Sequence, residues 1–279
     1  VDRWLGFLIE PLSYPFMVRG LIAAVMVGVV CAVSGTYVVL RGMAFLGDAL
    51  AHAILPGIAI GYLLSGGERQ VIFWWGLGTA VLTALGIGAV GKQARVRGDT
   101  AIGIIFASMF ALGIALISTV RSYAVDLAHF LFGNVLGISA RDIWLTGVLG
   151  GIVLLTILAL YKEFLIISFD PILAVTLRLP SGFLEYLLLV LIALTAIVAL
   201  QAVGVALMVA MLVTPAATAY LFSRRLSTMM VLAALIGAFS GVAGLYLSYY
   251  VRVASGAAIV LVSTAIFLLA LLFARRIPK

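Results

Sequence analysis

The feature that most limits this chain is a succession of apolar stretches, each about twenty residues long and nearly free of charge, along almost its whole length. About 20 such residues are needed to cross the hydrocarbon core of a bilayer as a helix. Lipid offers the backbone no hydrogen-bond partner, so a stretch of this kind crosses as a helix that satisfies itself. The pattern predicts spans near 17–40, 43–65, 71–91, 100–120, 142–161, 184–201, 203–222, 228–250 and 256–274. The sixth and seventh come from one run, Leu184 to Phe222, divided only near Gln201, so the expected count is eight or nine. Composition agrees, with 65% hydrophobic and 10% charged residues where soluble domains carry about 25% charged. The expected fold class is all-α, a polytopic membrane helical bundle forming a single transmembrane domain over residues 1–279. No stretch is left over for a soluble domain, and Val1–Gly20 lacks the basic n-region and cleavage site of a signal peptide.

The net charge of +7 has to be located before it is interpreted. Basic residues follow alternate spans: Arg41; Lys92, Arg95 and Arg97; Lys162 and Arg178; Arg224 and Arg225; Arg275, Arg276 and Lys279. The positive-inside rule makes these ends cytoplasmic. The opposite ends carry a mixed set, Glu68, Arg69, Arg121, Asp126, Arg141, Asp142 and Arg252. Nine spans with the N-terminus outside and the C-terminus inside satisfy both sets. The charge therefore records topology, and no nucleic-acid partner is expected. A single cysteine, Cys31, rules out an intrachain disulfide and a cysteine-rich metal site. Glycine pairs such as Gly57/Gly61 and Gly237/Gly241 have the spacing that lets membrane helices approach closely, and are read as packing within the bundle.

Two motifs are misleading. Gly86 to Lys92 has the glycine and lysine spacing of a P-loop, but Gln93 stands where a magnesium-binding hydroxyl is needed, at the end of a span. Leu64-Ser-Gly-Gly-Glu-Arg-Gln70 is spelled like the signature of a soluble ATPase domain, yet it links two spans on the outer side. A tight Gly-Gly turn is the reading, and no ATP hydrolysis by this chain is expected.

Of ten acidic residues only Asp48 falls well inside a span, in Gly47-Asp-Ala-Leu-Ala-His52-Ala-Ile-Leu-Pro56-Gly57. An ionisable group at membrane depth costs about 2.5–3.5 kcal/mol or more and usually marks a pathway. Asp48 and His52 are four apart and share a helix face. Pro56 has no N–H to give the carbonyl four residues back, which leaves the His52 oxygen to accept another partner. Carboxylate, imidazole and carbonyl together suit a transient site for a first-row divalent cation. The competing reading is an Asp–His pair that locks two helices together. Met208 and Met211 lie on a second proline-containing helix, before Pro215, where thioethers touch a passing metal or simply pack. Asp126 and His129, on the outer side, fit either a cation at the outer mouth or the cap of a short helix.

Between the fifth and sixth spans, residues 162–183 are cytoplasmic by charge yet rich in Phe169, Ile172, Leu173, Val175, Leu177 and Leu179. Asp170-Pro171 reads as an N-cap followed by proline at the first helical position, and Pro180 marks the end. Surplus apolar surface on a short capped helix implies docking into another protein, or packing back on the bundle.

The chain resembles, along nearly its whole length, the integral-membrane permeases of bacterial ABC importers for manganese, zinc or iron(II). The resemblance is carried by Gly47–Gly57, Gly98-Asp-Thr-Ala-Ile-Gly-Ile-Ile-Phe106, Asp126–Ser139, Phe169-Asp-Pro171 through Leu179-Pro180, Leu200-Gln-Ala-Val-Gly204 with Pro215-Ala-Ala217, and Ser255-Gly256-Ala-Ala-Ile-Val260. It implies a type II importer fold working as a homodimer in the bacterial plasma membrane, two cytoplasmic ATPase subunits and an external metal-binding protein. It implies too that Asp170, Pro171, Ala174, Leu177, Leu179 and Pro180 belong to a coupling helix seated on the ATPase. Relatives often carry glycine where this chain has Arg178, and an acidic residue and proline where it has Arg252 and Ala254. The Val-Ala-Ser-Gly-Ala-Ala form resembles the manganese branch, so Mn2+ is the expected cargo, with no permanently bound cofactor. A stand-alone secondary transporter would carry several intramembrane acids in related repeats, and a membrane enzyme has only one Asp–His pair to draw on.

Overall fold

A computed structural model describes residues 9–93, 98–119 and 135–274. Among these the chain forms α1 (Pro15–Leu40), α2 (Leu46–Ala53), α3 (Leu55–Ser65), α4 (Arg69–Gln93), α5 (Gly98–Ile117), α6 (Ala140–Ala159), α7 (Tyr161–Phe169), α8 (Pro171–Thr176), α9 (Ser181–Val203), α10 (Val205–Phe222), α11 (Leu226–Val251) and α12 (Ser255–Ala274). Short 3-10 turns stand at Glu10–Ser13 and Val135–Gly137. Among the described residues nine segments are long and apolar enough to cross a membrane, with α2 and α3 together making one of them. The higher of the two expected counts is the one observed. Arg95, Arg97, Arg121, Asp126, His129, Arg275, Arg276 and Lys279 lie outside the described residues.

The long run from Leu184 to Phe222 divides near Gln201, as expected, though not at that residue itself. α9 continues to Val203, and the break falls at Gly204, with φ 84° and ψ 171°, a backbone region open essentially only to glycine. Gln201 stays helical because its polar end has a partner: its amide Nε2 donates to Asp142 Oδ1 at 2.9 Å. Asp142 also closes a capping box at the start of α6. Its Oδ2 accepts from the Ser139 N–H at 3.2 Å and from the Ser139 hydroxyl at 2.7 Å, while Ser139 Oγ accepts from the Asp142 N–H at 3.2 Å.

The chain divides into two compact units. The first holds Val1–Thr36, His129–Ile152 and Val198–Lys279, the second Tyr37–Ala128 and Val153–Ile197. In the first unit α10, α11 and α12 pack on one another, and small residues decide how closely the neighbouring part of α1 approaches. A Cβ on Gly28 would stand 2.8 Å from the Gly237 carbonyl oxygen, and one on Gly241 would stand 3.1 Å from that of Ala24. A Cβ on Gly35 would overlap the carbonyl of Leu212. In the second unit α2, α3, α4 and α5 pack mutually, with Gly57 set against Thr79 and Trp75, and Gly61 against Ile72. The glycine pairs singled out by spacing thus serve close helix packing.

Replacing Gly35 should therefore be costly and replacing Gly78, which has no atom within 4 Å of a Cβ position, should not. We expect Gly35→Ala to lose about 1–3 kcal/mol, the usual cost of overpacking, while Gly78→Ala is neutral or slightly stabilising. Thermal unfolding of the two variants in detergent checks this. Equal midpoints would mean that α1 and α10 do not approach as described.

Candidate functional site

α2 is eight residues long and ends before a proline. The break falls at Ile54, whose backbone N–H is directed at the carbonyl of His52, and α3 starts at Leu55 with Pro56 in its first turn. Pro56 has no N–H to offer, so the His52 oxygen lacks its usual helical donor, as the spacing predicts. The kink is held from α5: a Cβ on Gly113 would come within 2.6 Å of Leu55 Cβ and 3.1 Å of the Pro56 ring. Glycine at that point lets α5 lie directly on the bend.

From residue 46 to residue 59 every residue is buried except Asp48 and His52. Their side chains are 40% and 31% exposed, on one face, with Asp48 Oδ1 3.6 Å from His52 Nε2. That separation is longer than a good hydrogen bond. It is short enough for one ion to touch both, since bonds of about 2.0–2.2 Å would meet at roughly 110–130°. Phe110 and Phe106 of α5 lie edge-on to the imidazole, with ring centroids 5.7 and 6.3 Å away, and Phe106 meets Phe45 at 5.6 Å. These phenylalanines orient His52 and were not singled out by sequence reasoning. The available signal was an aromatic pair at a spacing of four on a glycine-bearing helix. Among the described residues no group of three or more His, Cys, Asp and Glu stands together, so backbone oxygen or water would have to complete any coordination shell here.

Met208 and Met211 are fully buried within the first unit, with the Met211 methyl group set against Gly28. Asp48 and His52 belong to the second unit. Asp126 and His129 fall outside the described residues.

The segment between α7 and α9 is ordered by its own caps. Asp170 Oδ1 accepts from the Leu173 N–H at 2.9 Å, and the helix begins at Pro171. At the other end the Leu179 N–H donates to the Ala174 carbonyl at 3.0 Å and the Arg178 N–H to that of Val175 at 3.0 Å, a Schellman closure. This puts Arg178 in the left-handed region at φ 54°, where glycine fits best. Ala174 is buried, while Phe169, Ile172, Leu173, Val175 and Leu177 are exposed. Leu179 is half-buried.

Comparison with known proteins gives a consistent result. The model of the ABC 3 transport family matches residues 13–274. The chain is 49% identical over 269 residues to the manganese transport system membrane protein MntC of Listeria monocytogenes, covering 96% of this chain and 94% of that protein. It is 41% identical to the chelated iron transport system membrane protein YfeD of Yersinia pestis, covering 95% of this chain and 87% of the relative. Among solved structures it is similar to PsaBC from Streptococcus pneumoniae in complex with Fab, at 40% identity and a TM-score of 0.81, covering 95% of this chain and 94% of that one.

If the strip formed by Asp48 and His52 is reached by water, single cysteines there should react with a charged methanethiosulfonate reagent. Asp48→Cys and His52→Cys are expected to label, and Ala49→Cys and Ala53→Cys to stay silent because both positions are buried. The native Cys31 is buried and supplies no background. Labelling at position 53 as fast as at position 52 would show that the strip has no special access to water.

Proposed function

This chain belongs to the ABC 3 transport family, and from that membership we propose that it is the permease subunit of an ATP-driven importer of divalent transition-metal ions, with manganese as cargo. On this reading the chain performs no covalent chemistry. Two copies form the membrane path, two cytoplasmic ATPase subunits hydrolyse ATP, and an external metal-binding protein delivers the ion. The multi-pass chain sits in the bacterial plasma membrane. The name of the Listeria relative supports manganese, and that of the Yersinia relative keeps iron as the other cargo to be tested.

The observation that carries the proposal is the pair of half-exposed polar side chains, Asp48 and His52, on a helix otherwise buried from residue 46 to residue 59. A carboxylate is a hard anionic ligand and an imidazole a borderline one, a combination that suits divalent ions of the first row. Two side-chain ligands bind loosely, as a transport step requires, because an ion held by a full cage would not leave. Asp126 and His129 are proposed as an outer approach site and Met208 and Met211 as secondary contacts. The segment Asp170–Pro180 is proposed as the element that meets the ATPase, supported by its row of exposed apolar side chains.

Two measurements test this. Asp48→Asn and His52→Ala are each expected to reduce manganese uptake into proteoliposomes at least about tenfold, the scale of losing one charge-assisted contact, while the complex still assembles. Near-normal uptake by both variants would remove them from the path. Leu173→Glu or Leu177→Glu should release the ATPase or leave ATP hydrolysis running without uptake. Retention of both binding and coupled uptake would mean that the segment does not meet the ATPase.

A further inference from the structure

Within the second unit a cavity of about 330 Å³ opens between the end of α1, the end of α4, the start of α5 and the first turns of α9. Arg41 and Lys92 line it together, and by the charge rule both stand at the cytoplasmic membrane surface. Lys92 is already compensated, with Nζ 2.8 Å from Glu185 Oε2 and 4.6 Å from the centre of the Tyr186 ring. Arg41 is not. Its Nε donates to Ser168 Oγ at 3.3 Å and its Nη2 to the Ile167 carbonyl at 3.4 Å, so its described hydrogen-bond partners are neutral. Among the described residues it forms no ion pair, and a guanidinium has five donors. Burial pulls its pKa down from the ordinary arginine value, with Glu185 and Tyr37 opposing the shift.

Three other features fit an anion with an apolar body. Gly98, the first residue of the 20-residue helix α5, also lines the cavity, which brings the positive end of that helix to it. Ile87 and Leu189 supply apolar wall beside the cations. Tyr186 adds the amphipathic ring common at the membrane–water boundary. Basic pockets between membrane helices on the cytoplasmic side suit anionic lipid headgroups.

We propose that this cavity binds the phosphodiester of an anionic membrane phospholipid, held by Arg41 and Lys92 with its glycerol end against Ile87 and Leu189. The site is independent of the proposed metal path and would stand if that reading failed.

The test uses the intact chain, purified in mild detergent and stripped of lipid, with lipid binding read by native mass spectrometry. Phosphatidylglycerol should bind in preference to phosphatidylcholine. Arg41→Gln and Lys92→Gln should each weaken phosphatidylglycerol about fivefold, the usual worth of one basic residue near an anionic surface. Glu185→Gln removes the competing carboxylate and should tighten binding by a similar factor. Because Arg41 also holds α7, Lys92→Gln and Glu185→Gln carry the test if Arg41→Gln fails to fold. Equal retention of the two lipids, or affinities unchanged by the Lys92 and Glu185 variants, would overturn the proposal. Inorganic phosphate displacing phosphatidylglycerol at equal concentration would assign the cavity to a free anion instead. Loss of lipid on adding the ATPase subunit would make it a protein-docking surface.

Discussion

Lipid cannot hydrogen-bond to a peptide group, and this constraint shapes the molecule more than any other. A span that crosses as a continuous helix satisfies itself, so any interruption within one needs a local remedy. Among the described residues one interruption falls inside a span, at Ile54, and a second break, at Gly204, divides two spans. Before Pro56 the His52 carbonyl loses its helical donor, and the ladder resumes with the Ile58 N–H on the Ile54 carbonyl at 3.1 Å. At Gly204 the chain N–H reaches back to Leu200 at 2.8 Å and the carbonyl accepts from Met208 at 3.0 Å. Each break lies close to residues singled out for their chemistry, Asp48 and His52 in one case, Met208 and Met211 in the other. Interrupted backbone is tolerated in a membrane where it is enclosed by protein or faces a water-filled cavity, which is why such breaks are informative about a path.

The spans themselves were legible because length and hydropathy are one-dimensional signals. The divider of the long run was not. Gln201 looked like the break because it is polar, but its polarity is met by Asp142, 59 residues earlier, a relation no local pattern reveals. Gly204 is the divider for a stereochemical reason, and a glycine among twenty-nine gives little warning. The Asp48–His52 pair was legible from spacing, whereas the burial of the rest of α2 was not. In a membrane protein the faces toward lipid and toward protein are both apolar, so periodicity does not separate them. The same blindness hid Phe106 and Phe110.

The segment after α7 illustrates how much two caps accomplish. Six residues are too few to hold a helix by propagation alone. Asp170 at one end and the Arg178–Leu179 closure at the other satisfy groups that would otherwise be loose. Arg178 pays for this with a left-handed backbone that costs an L-residue about 1–2 kcal/mol. The result is a fixed turn of helix presenting exposed Ile172, Leu173, Val175 and Leu177, rather than a pliable loop. A fixed element displaces what it is attached to when it is pushed, and a pliable one absorbs the push.

Selectivity follows from how little the proposed site contains. One carboxylate and one imidazole, with no third His, Cys, Asp or Glu among the described residues, offer few means of sorting ions. The Irving–Williams order places zinc above manganese for such ligands, so affinity at Asp48 and His52 favours the wrong ion if manganese is the cargo. Geometry does not correct this, because two ligands fix an angle and not a polyhedron. On the proposed reading discrimination therefore has to occur before the ion reaches this pair, at a site with enough ligands to impose size and coordination number. What remains for the permease is to let an ion leave as readily as it arrives, and a two-ligand site on an accessible strip is suited to that.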